Sequence, residues 1–436
     1  MISRKRLLRM IAPTAGFRKA MVGLLAGLAA FLIGAALSFK LLISPLLEWL
    51  QRASQAVLGT FVPIESLDIA THWLGGAFLA LGIYLLFVSV RAAIRQVTGT
   101  LDPKFRGGMV DNYVRRQQLA HGPRIVALGG GTGLSTLLRG LKQHSSNVTA
   151  IVTVTDDGGS SGRLVNEKGM IPPGDIRNCL VALADAEKSM TDLFQHRFKN
   201  DSGSLSGHSM GNLLIAALVD QAHGDFEQAV ERASDVLAIR GRVVPATLAH
   251  VRLRAEMEDG SEVCGETQIA QVGSKIRQIH LDPADVAAHS GAIEAILEAD
   301  LICIGPGSVF TSVIPNLLVP GIADAIRESK AVKAYICNVM TQPGESDSFS
   351  ACEHVVALQT NVVKRVFDVV VVNTGVPSPA ATEKYRESGQ FLVDPDIDRI
   401  RAMGFRVVAS NLMSETDFVR HDPMRIAALM MRLVGK

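Results

Sequence analysis

Two glycine-rich segments of this 436-residue chain contain the residue types that bind phosphate groups. They are residues 129–133 (GGGTG) and residues 305–308 (GPGS), and each comes directly after a short apolar run. Glycine allows a positive φ and lets backbone N–H groups converge on an anion, and a helix that follows adds the positive end of its dipole. We therefore predict that both segments are phosphate-binding loops.

A third segment, residues 155–162 (TDDGGSSG), adds two adjacent carboxylates, Asp156 and Asp157. They could hold Mg²⁺ against a diphosphate, or hydrogen-bond sugar or base groups without a metal. Asp156 also lies at about the right distance from the first loop to bind a ribose hydroxyl, so a dinucleotide site is weakly indicated. The first loop is neither a P-loop nor a full dinucleotide fingerprint, because Leu134 replaces the Lys of one motif and the third Gly of the other.

The elements around these loops are typical of a parallel sheet. Short runs rich in β-branched residues indicate strands that are buried on both faces. These runs are residues 124–128, 148–154, 301–304, 332–337 and 367–372, and the last two precede the polar segments 338–342 (NVMTQ) and 373–375 (NTG). Helical patterns separate them at residues 134–143, 176–186, 212–221 and 284–299. The alternation predicts a Rossmann-like, doubly wound, mostly parallel α/β sheet, with ligands at the carboxyl ends of the strands.

One stretch departs from this alternation. Residues 250–258 and 262–269 flank Asp259-Gly260, a pair typical of a hairpin turn. We predict a β-hairpin insertion there.

Residues 207–211 (GHSMG) match the nucleophile elbow of α/β-hydrolases. That motif requires a strand before the serine, and residues 199–206 (KNDSGSLS) are polar and unlike a strand. The hydrolase interpretation is therefore not favoured. We expect His208 and Asn212 to be polar groups at a helix N-terminus that face the ligand cleft, and Arg163 and Arg177 to be further candidate phosphate partners.

The charge of the chain is unevenly distributed. Residues 1–122 contain 14 Lys or Arg and 5 Asp or Glu, whereas residues 123–436 contain 30 and 37. An acidic body lacks the positive surface that nucleic-acid binding requires, so we expect no nucleic-acid partner. Five cysteines without a close pair suit a reducing compartment and argue against a zinc site or a disulfide framework.

The basic N-terminal part contains two uncharged apolar segments, residues 20–39 and 69–90. Each is long enough to cross a bilayer, and Lys and Arg cluster before the first and after the second. We predict a two-span anchor (residues 1–97) in the inner or cytoplasmic membrane, with both termini in the cytoplasm. A signal peptide or a buried hairpin is the alternative. Residues 98–122 are predicted to be a linker, and residues 123–436 a cytoplasmic domain.

Seven motifs together resemble the gluconeogenesis-factor (YvcK-like) family, which is related to the CofD-type 2-phospho-L-lactate transferases. The motifs are residues 128–133 (LGGGTG), 154–162 (VTDDGGSSG), 172–178 (PPGDIRN), 207–213 (GHSMGNL), 305–312 (GPGSVFTS), 337–345 (CNVMTQPGE) and 420–422 (RHD). The resemblance covers nearly all of residues 123–436. Family members ordinarily lack membrane spans, and Pro423 follows RHD here, so no role of a hydroxyl at that position carries over.

The resemblance implies a Rossmann-like fold that binds a nucleotide sugar, with UDP-N-acetylglucosamine as the first candidate. It implies a regulatory protein that links carbon metabolism to envelope-precursor supply and cell shape through a partner enzyme, and we expect a homo-oligomer. No cofactor is required for this role. The alternative is a CofD-like transferase that moves a phospholactyl-type group from a nucleotide to a hydroxyl acceptor, with Asp156 and Asp157 positioning Mg²⁺. The implied ligand-binding residues are Gly130, Gly131, Thr132, Gly133, Asp156, Asp157, Gly158, Ser160, Ser161, Asn178, His208, Asn212, Gly307, Ser308, Asn338 and Arg420.

Overall fold

The computed structural model describes residues 109–435, apart from 186–187, 200–202 and 416–418, and short helical stretches between residues 44 and 57. The chain divides into two compact units, Met1–Met109 and Val110–Lys436, and the second contains the fold described below. The predicted spans, residues 20–39 and 69–90, lie outside the described residues. Within the part that is described, no single helix is long and apolar enough to cross a membrane, and only one helix pair, bent by 77°, meets that test together.

The described residues form twelve strands. They are β1 (Ile125–Gly129), β2 (Val148–Val152), β3 (Arg242–Pro245), β4 (Arg252–Met257), β5 (Glu262–Cys264), β6 (Ile276–Asp282), β7 (Leu301–Ile304), β8 (Val332–Ile336), β9 (Val369–Asn373), β10 (Arg406–Ser410), β11 (Met413–Ser414) and β12 (Arg420–His421).

Within the described residues from 109 onward there are fifteen α-helices. They are α1 (Met109–Ala120), α2 (Gly131–Leu141), α3 (Gly159–Lys168), α4 (Gly174–Leu183), α5 (Lys188–Gln195), α6 (Met210–Gln221), α7 (Phe226–Leu237), α8 (Glu266–Val272), α9 (Ser290–Glu298), α10 (Ile314–Leu318), α11 (Ile322–Glu328), α12 (Ala351–Asn361), α13 (Pro379–Glu387), α14 (Ile397–Ala402) and α15 (Pro423–Leu433). A π-helical turn, Val309–Val313, precedes α10.

Seven strands form one parallel sheet in the order β10-β9-β8-β7-β1-β2-β3. The chain first builds outward from β1 to β3 and later resumes on the other side of β1 with β7. The strand order therefore reverses between β1 and β7, which is where open α/β sheets bind ligands. This confirms the predicted mostly parallel α/β fold. All five predicted strands are present, and β1 and β9 end one residue later than predicted.

Burial explains why these segments form strands. Every residue of β1, β7 and β9 is buried, because helices cover both faces of the sheet. Strands in that position have no solvent face, so their sequences are continuously apolar. Cys303 and Cys337 are buried within this core, and Cys264 is the exposed member of the five free cysteines.

The predicted hairpin is part of a larger insertion. β4 pairs with β5 and also with β6 in a three-stranded antiparallel sheet, ordered β5-β4-β6. The prediction of a strand over residues 262–269 was wrong beyond Cys264. Gly265 has a φ of +96°, which ends the strand and starts α8. The turn at Asp259-Gly260 is present, with Asp259 accepting hydrogen bonds from the backbone and hydroxyl of Ser261.

The predicted linker also differs from the structure, because α1 occupies residues 109–120. Its sequence lacks Gly and Pro, so nothing interrupts a helix there. The helix is attached to the body: Leu119 is buried, its carbonyl accepts from Ser146 N at 2.9 Å, and the Asn147 side chain donates to Ala120 O.

Candidate functional site

A cavity of about 570 Å³ lies where the strand order reverses. We call it the switch-point cavity. Its walls come from the loops after β1, β7 and β8, from α13 and from the segment around β12. Eight predicted site residues line it: Gly130, Gly131, Thr132, Gly133, Gly307, Ser308, Asn338 and Arg420.

The two predicted phosphate-binding loops meet at the floor of this cavity. A Cβ on Gly133 would lie 2.5 Å from Pro306 O, so only a glycine lets the two loops approach this closely. Asn338 braces the second loop, since its side chain accepts from Gly307 N at 3.0 Å and donates to Gly307 O at 2.9 Å. Asn338 therefore fixes the Gly307 backbone by pairing with both its N–H and its C=O group, a role that the sequence did not predict.

Ser308 is held in a similar way. Its hydroxyl caps the π-helical turn by accepting from Thr311 N, and it donates to the Glu345 carboxylate. Thr311 Oγ1 donates to the other Glu345 oxygen at 3.3 Å. Burial raises the pKa of Glu345, and these two hydrogen bonds partly oppose the shift. Glu345 lines the cavity and was missed as a site residue, although it belongs to the quoted motif CNVMTQPGE.

A second cavity, of about 260 Å³, lies at the first turn of α3. We call it the α3 cavity. Six further predicted site residues line it: Asp156, Gly158, Ser160, Ser161, Asn178 and Asn212. Asp175, Arg177 and Arg197 complete its wall. The predicted site is thus divided between two cavities, which adjoin where Asp175 accepts a hydrogen bond from the Gly131 backbone.

Asp157 and His208 line neither cavity. Asp157 accepts hydrogen bonds from Thr267 N at 3.0 Å and Thr267 Oγ1 at 2.7 Å. Since Thr267 belongs to the insertion, this carboxylate connects the loop after β2 to the insertion. His208 is buried behind the α3 cavity, with Nδ1 2.9 Å from Ser160 Oγ. Burial, and then the nearby charge of Arg163, lowers the pKa of His208.

The two adjacent carboxylates have different contacts. Asp156 lines the α3 cavity and accepts from Gly158 N at 3.0 Å, whereas Asp157 is hydrogen-bonded to the insertion. Across the described residues, no group of three or more His, Cys, Asp or Glu is placed to hold a metal ion.

Two carboxyl groups near the junction of the cavities have strongly raised pKa values. The pKa of Asp175 rises to about 6, mainly through burial and then through the charge of Asp156. The pKa of Glu266 rises to about 9, mainly through burial and then through Asp156, Asp175, Glu345 and Asp157. Glu266 is the first residue of α8 and lines the switch-point cavity. Because it comes from the insertion, no motif in the sequence indicated it.

The hydrolase-like motif has a structural role. Ser209 is fully buried and caps α6, where its hydroxyl accepts from Asn212 N at 3.2 Å. A short 3₁₀ turn, Gly203–Leu205, precedes it in place of the strand that a nucleophile elbow requires. Arg163 also serves the local structure and lines neither cavity, because its guanidinium donates to Ser206 O at 2.6 Å.

The RHD segment forms one wall of the switch-point cavity. His421 is 7% exposed, and its Nε2 lies 3.0 Å from Cys337 O, so Nε2 carries the proton. Burial lowers the pKa of His421 to about 4, and the ring is neutral at pH 7. Tyr385 lies beside it, with its hydroxyl accepting from Val419 N at 2.9 Å. His421 and Tyr385 line the cavity but were not predicted as site residues.

The strand order and the position of the cavity define a Rossmann-like α/β protein with a candidate ligand site at the topological switch point. The chain belongs to the family described as 2-phospho-L-lactate transferase CofD, whose sequence profile matches residues 125–413. Arg420 and His421 lie beyond the matched residues.

Relatives named gluconeogenesis factor are similar to most of the chain. The Bacillus subtilis protein is 48% identical over 313 residues, covering 72% of this chain and 98% of the relative. A putative gluconeogenesis factor of Nostoc is 46% identical over 391 residues, covering 89% of this chain and 84% of the relative. The match is longer than residues 123–436, so part of the segment before residue 123 is also similar to this relative.

A solved structure of a similar protein has the same fold. A crystal structure of a UPF0052-family protein from Bacillus halodurans superposes with a TM-score of 0.68 at 44% identity. The comparison covers 71% of this chain and 99% of that one.

Proposed function

We propose that this protein is a regulator that binds a nucleotide sugar of the UDP-N-acetylglucosamine type in the switch-point cavity. The single observation that carries the proposal is that two glycine loops and Arg420 line one cavity. Backbone N–H groups and an arginine are the donors that a diphosphate needs. Polar side chains such as Gln342 and Gln390 supply hydrogen bonds for sugar and base groups.

Replacing Arg420 tests this proposal. Hydrogen bonds to charged groups contribute about 1.5–3 kcal/mol, so Arg420→Gln is expected to weaken UDP-N-acetylglucosamine binding about 10-fold to 100-fold. Isothermal titration calorimetry of the full chain measures the dissociation constant.

The matched control for this experiment is Arg432→Gln. Arg432 is exposed on α15 and lines neither cavity, so its loss removes the same charge without touching the site. Binding of the nucleotide sugar should stay unchanged in the control. Equal affinity in Arg420→Gln and the wild type, or the absence of heat with any uridine diphosphate sugar, would contradict the proposed function.

The second candidate function is a CofD-like transferase. Asp175, with a pKa of about 6, is the observation that favours it, because a carboxyl group near neutrality beside a ligand cavity can exchange a proton in catalysis. The two functions predict different results with a nucleotide-linked phospholactyl substrate and a hydroxyl acceptor. Release of a nucleoside monophosphate that is lost in Asp175→Asn supports the transferase, whereas saturable UDP-sugar binding without turnover supports the regulator.

The proposed regulator would act at the membrane. We propose that residues 20–39 and 69–90 tether the domain to the cytoplasmic face, as a homo-oligomer, beside an enzyme of envelope-precursor synthesis. The relatives named gluconeogenesis factor support the proposed link to carbon metabolism.

A further inference from the structure

The first turn of α3 presents donors that no side chain caps. Its N-cap is Gly158, which has no side chain to accept a hydrogen bond, and Gly159, Ser160 and Ser161 follow it. The first N–H groups of a helix have no acceptor within the helix, and they carry the positive end of its dipole. All four residues line the α3 cavity. The cavity therefore contains a set of N–H groups that favours an anion.

Asn212 is an independent sign that this cavity receives a ligand. The residue is 2% exposed and lines the cavity, and its Nδ2 donates to Ser160 Oγ at 3.1 Å. Its Oδ1 is buried and has no hydrogen-bond partner among the described residues. A buried amide oxygen without a partner is costly, so it is normally satisfied by a donor from elsewhere. A ligand that carries a hydroxyl proton would supply that donor.

Two arginines add positive charge to the same wall. Arg177 donates through Nη2 to Asn178 Oδ1 at 2.7 Å, and its buried Nε has no partner within the described part of the chain. Arg197 donates through Nη1 to Gly207 O at 2.6 Å. Both arginines line the cavity, and each guanidinium group has further N–H groups that can donate to an oxyanion.

Two carboxylates in the lining of the same cavity decide which oxyanion fits. Asp156 and Asp175 line the cavity and place carboxylate oxygens beside it. Carboxylates repel an oxyanion that has no proton, such as sulfate, but they accept a hydrogen bond from an oxyanion that keeps one. Hydrogen phosphate keeps a P–OH group at neutral pH, a phosphate monoester keeps one only in its singly ionised form, and sulfate keeps none.

We propose that the α3 cavity is a second ligand site, which binds a phosphate group that retains a proton and excludes sulfate. The N–H groups of α3 and the two arginines bind its charged oxygens, and Asn212 Oδ1 and the carboxylates accept from its P–OH group. The proposal does not depend on a nucleotide sugar in the switch-point cavity. Free phosphate and a small phosphate monoester share this chemistry.

The proposal is tested by calorimetric titration of the full chain. All titrations use one chloride buffer that contains detergent and has a constant ionic strength. Inorganic phosphate is expected to bind saturably, and sulfate at least tenfold more weakly. Arg177→Gln and Asn212→Asp should each weaken phosphate binding tenfold or more. Arg232→Gln, which removes an exposed arginine of α7 outside both cavities, is the matched control and should bind phosphate normally.

A parallel titration with glycerol 3-phosphate distinguishes the two sources. Binding tighter than that of inorganic phosphate assigns the site to a monoester, and weaker binding assigns it to free phosphate. If the buried substitutions prevent folding, Arg197→Gln replaces them, because that side chain is exposed. Equal binding of phosphate and sulfate, no saturable binding of either phosphate compound, or unchanged affinity in Arg197→Gln and Arg177→Gln overturns the proposal. UDP-sugar titrations of the same samples report separately on the switch-point cavity.

Discussion

Gly133→Ala is expected to disrupt the switch-point cavity and destabilise the fold. The added Cβ would lie 2.5 Å from Pro306 O and 2.8 Å from Pro306 C, which are backbone atoms and cannot rotate away. Relieving this overlap requires the loops after β1 and β7 to separate. Overpacking of this kind costs about 1–3 kcal/mol. Urea unfolding of the full chain should show that loss, and binding of UDP-N-acetylglucosamine should weaken more than tenfold because the N–H groups of both loops are displaced.

Gly307→Ala is the matched control for stability. It adds the same methyl group to the facing loop, but its nearest atoms, Gly130 O and the Ser312 Cβ, are both 3.4 Å away. The free energy of unfolding should fall by less than about 1 kcal/mol. If both alanine variants unfold at the same urea concentration as the wild type, the close approach of the loops is not what positions them.

Glu266→Gln is expected to make the unliganded protein more stable at pH 7. The pKa of Glu266 is about 9 in the fold against an ordinary value of 4.5, so the folded protein keeps a proton that the unfolded chain releases. The contribution of Glu266 to the free energy of unfolding therefore decreases as the pH rises from 4.5 to 9. Glutamine removes this dependence because it does not ionise. The gain at pH 7 should be on the order of 1–3 kcal/mol and should disappear near pH 4.5.

Urea unfolding at pH 5, 7 and 8.5 measures this effect. Glu258→Gln provides the control, since Glu258 is an exposed residue of the same insertion and lines neither cavity. Its stability should stay within about 0.5 kcal/mol of the wild type at every pH. If the Glu266→Gln protein is less stable than the wild type at pH 8.5, the Glu266 carboxyl group does not destabilise the folded state.

The large elements of the fold could be predicted because burial determines their sequences. Strands such as β1 and β7 are covered on both faces, and their continuous apolar runs are visible without a structure. β3 (RVVP) is too short and β10 (RVVAS) too exposed for this signal. The insertion was predicted only in part, because the change from β5 to α8 depends on Gly265, where a Cβ would lie 2.4 Å from Asp157 Oδ2.

The site was predicted less completely than the fold. Loops at one edge of a sheet were expected to surround one ligand, and the glycine loops after β1 and β7 do share a cavity. The loop after β2 instead contributes to the α3 cavity, since α4 and α6 provide its other walls. Asp157 lines neither cavity, and its partner, Thr267, belongs to an insertion far along the sequence. Such distant pairings leave no local pattern in a single sequence.

The contact between His421 and the end of β8 determines when, during translation, the switch-point cavity can be completed. The first glycine loop leaves the ribosome early, but the wall that carries Arg420 and His421 is translated only after the whole sheet. Since domains begin to fold during synthesis, a nearly finished chain can hold six of the seven parallel strands, β1–β3 and β7–β9, while the switch-point cavity still lacks one wall. A nascent chain would therefore bind the proposed nucleotide sugar only after its last residues have left the ribosome.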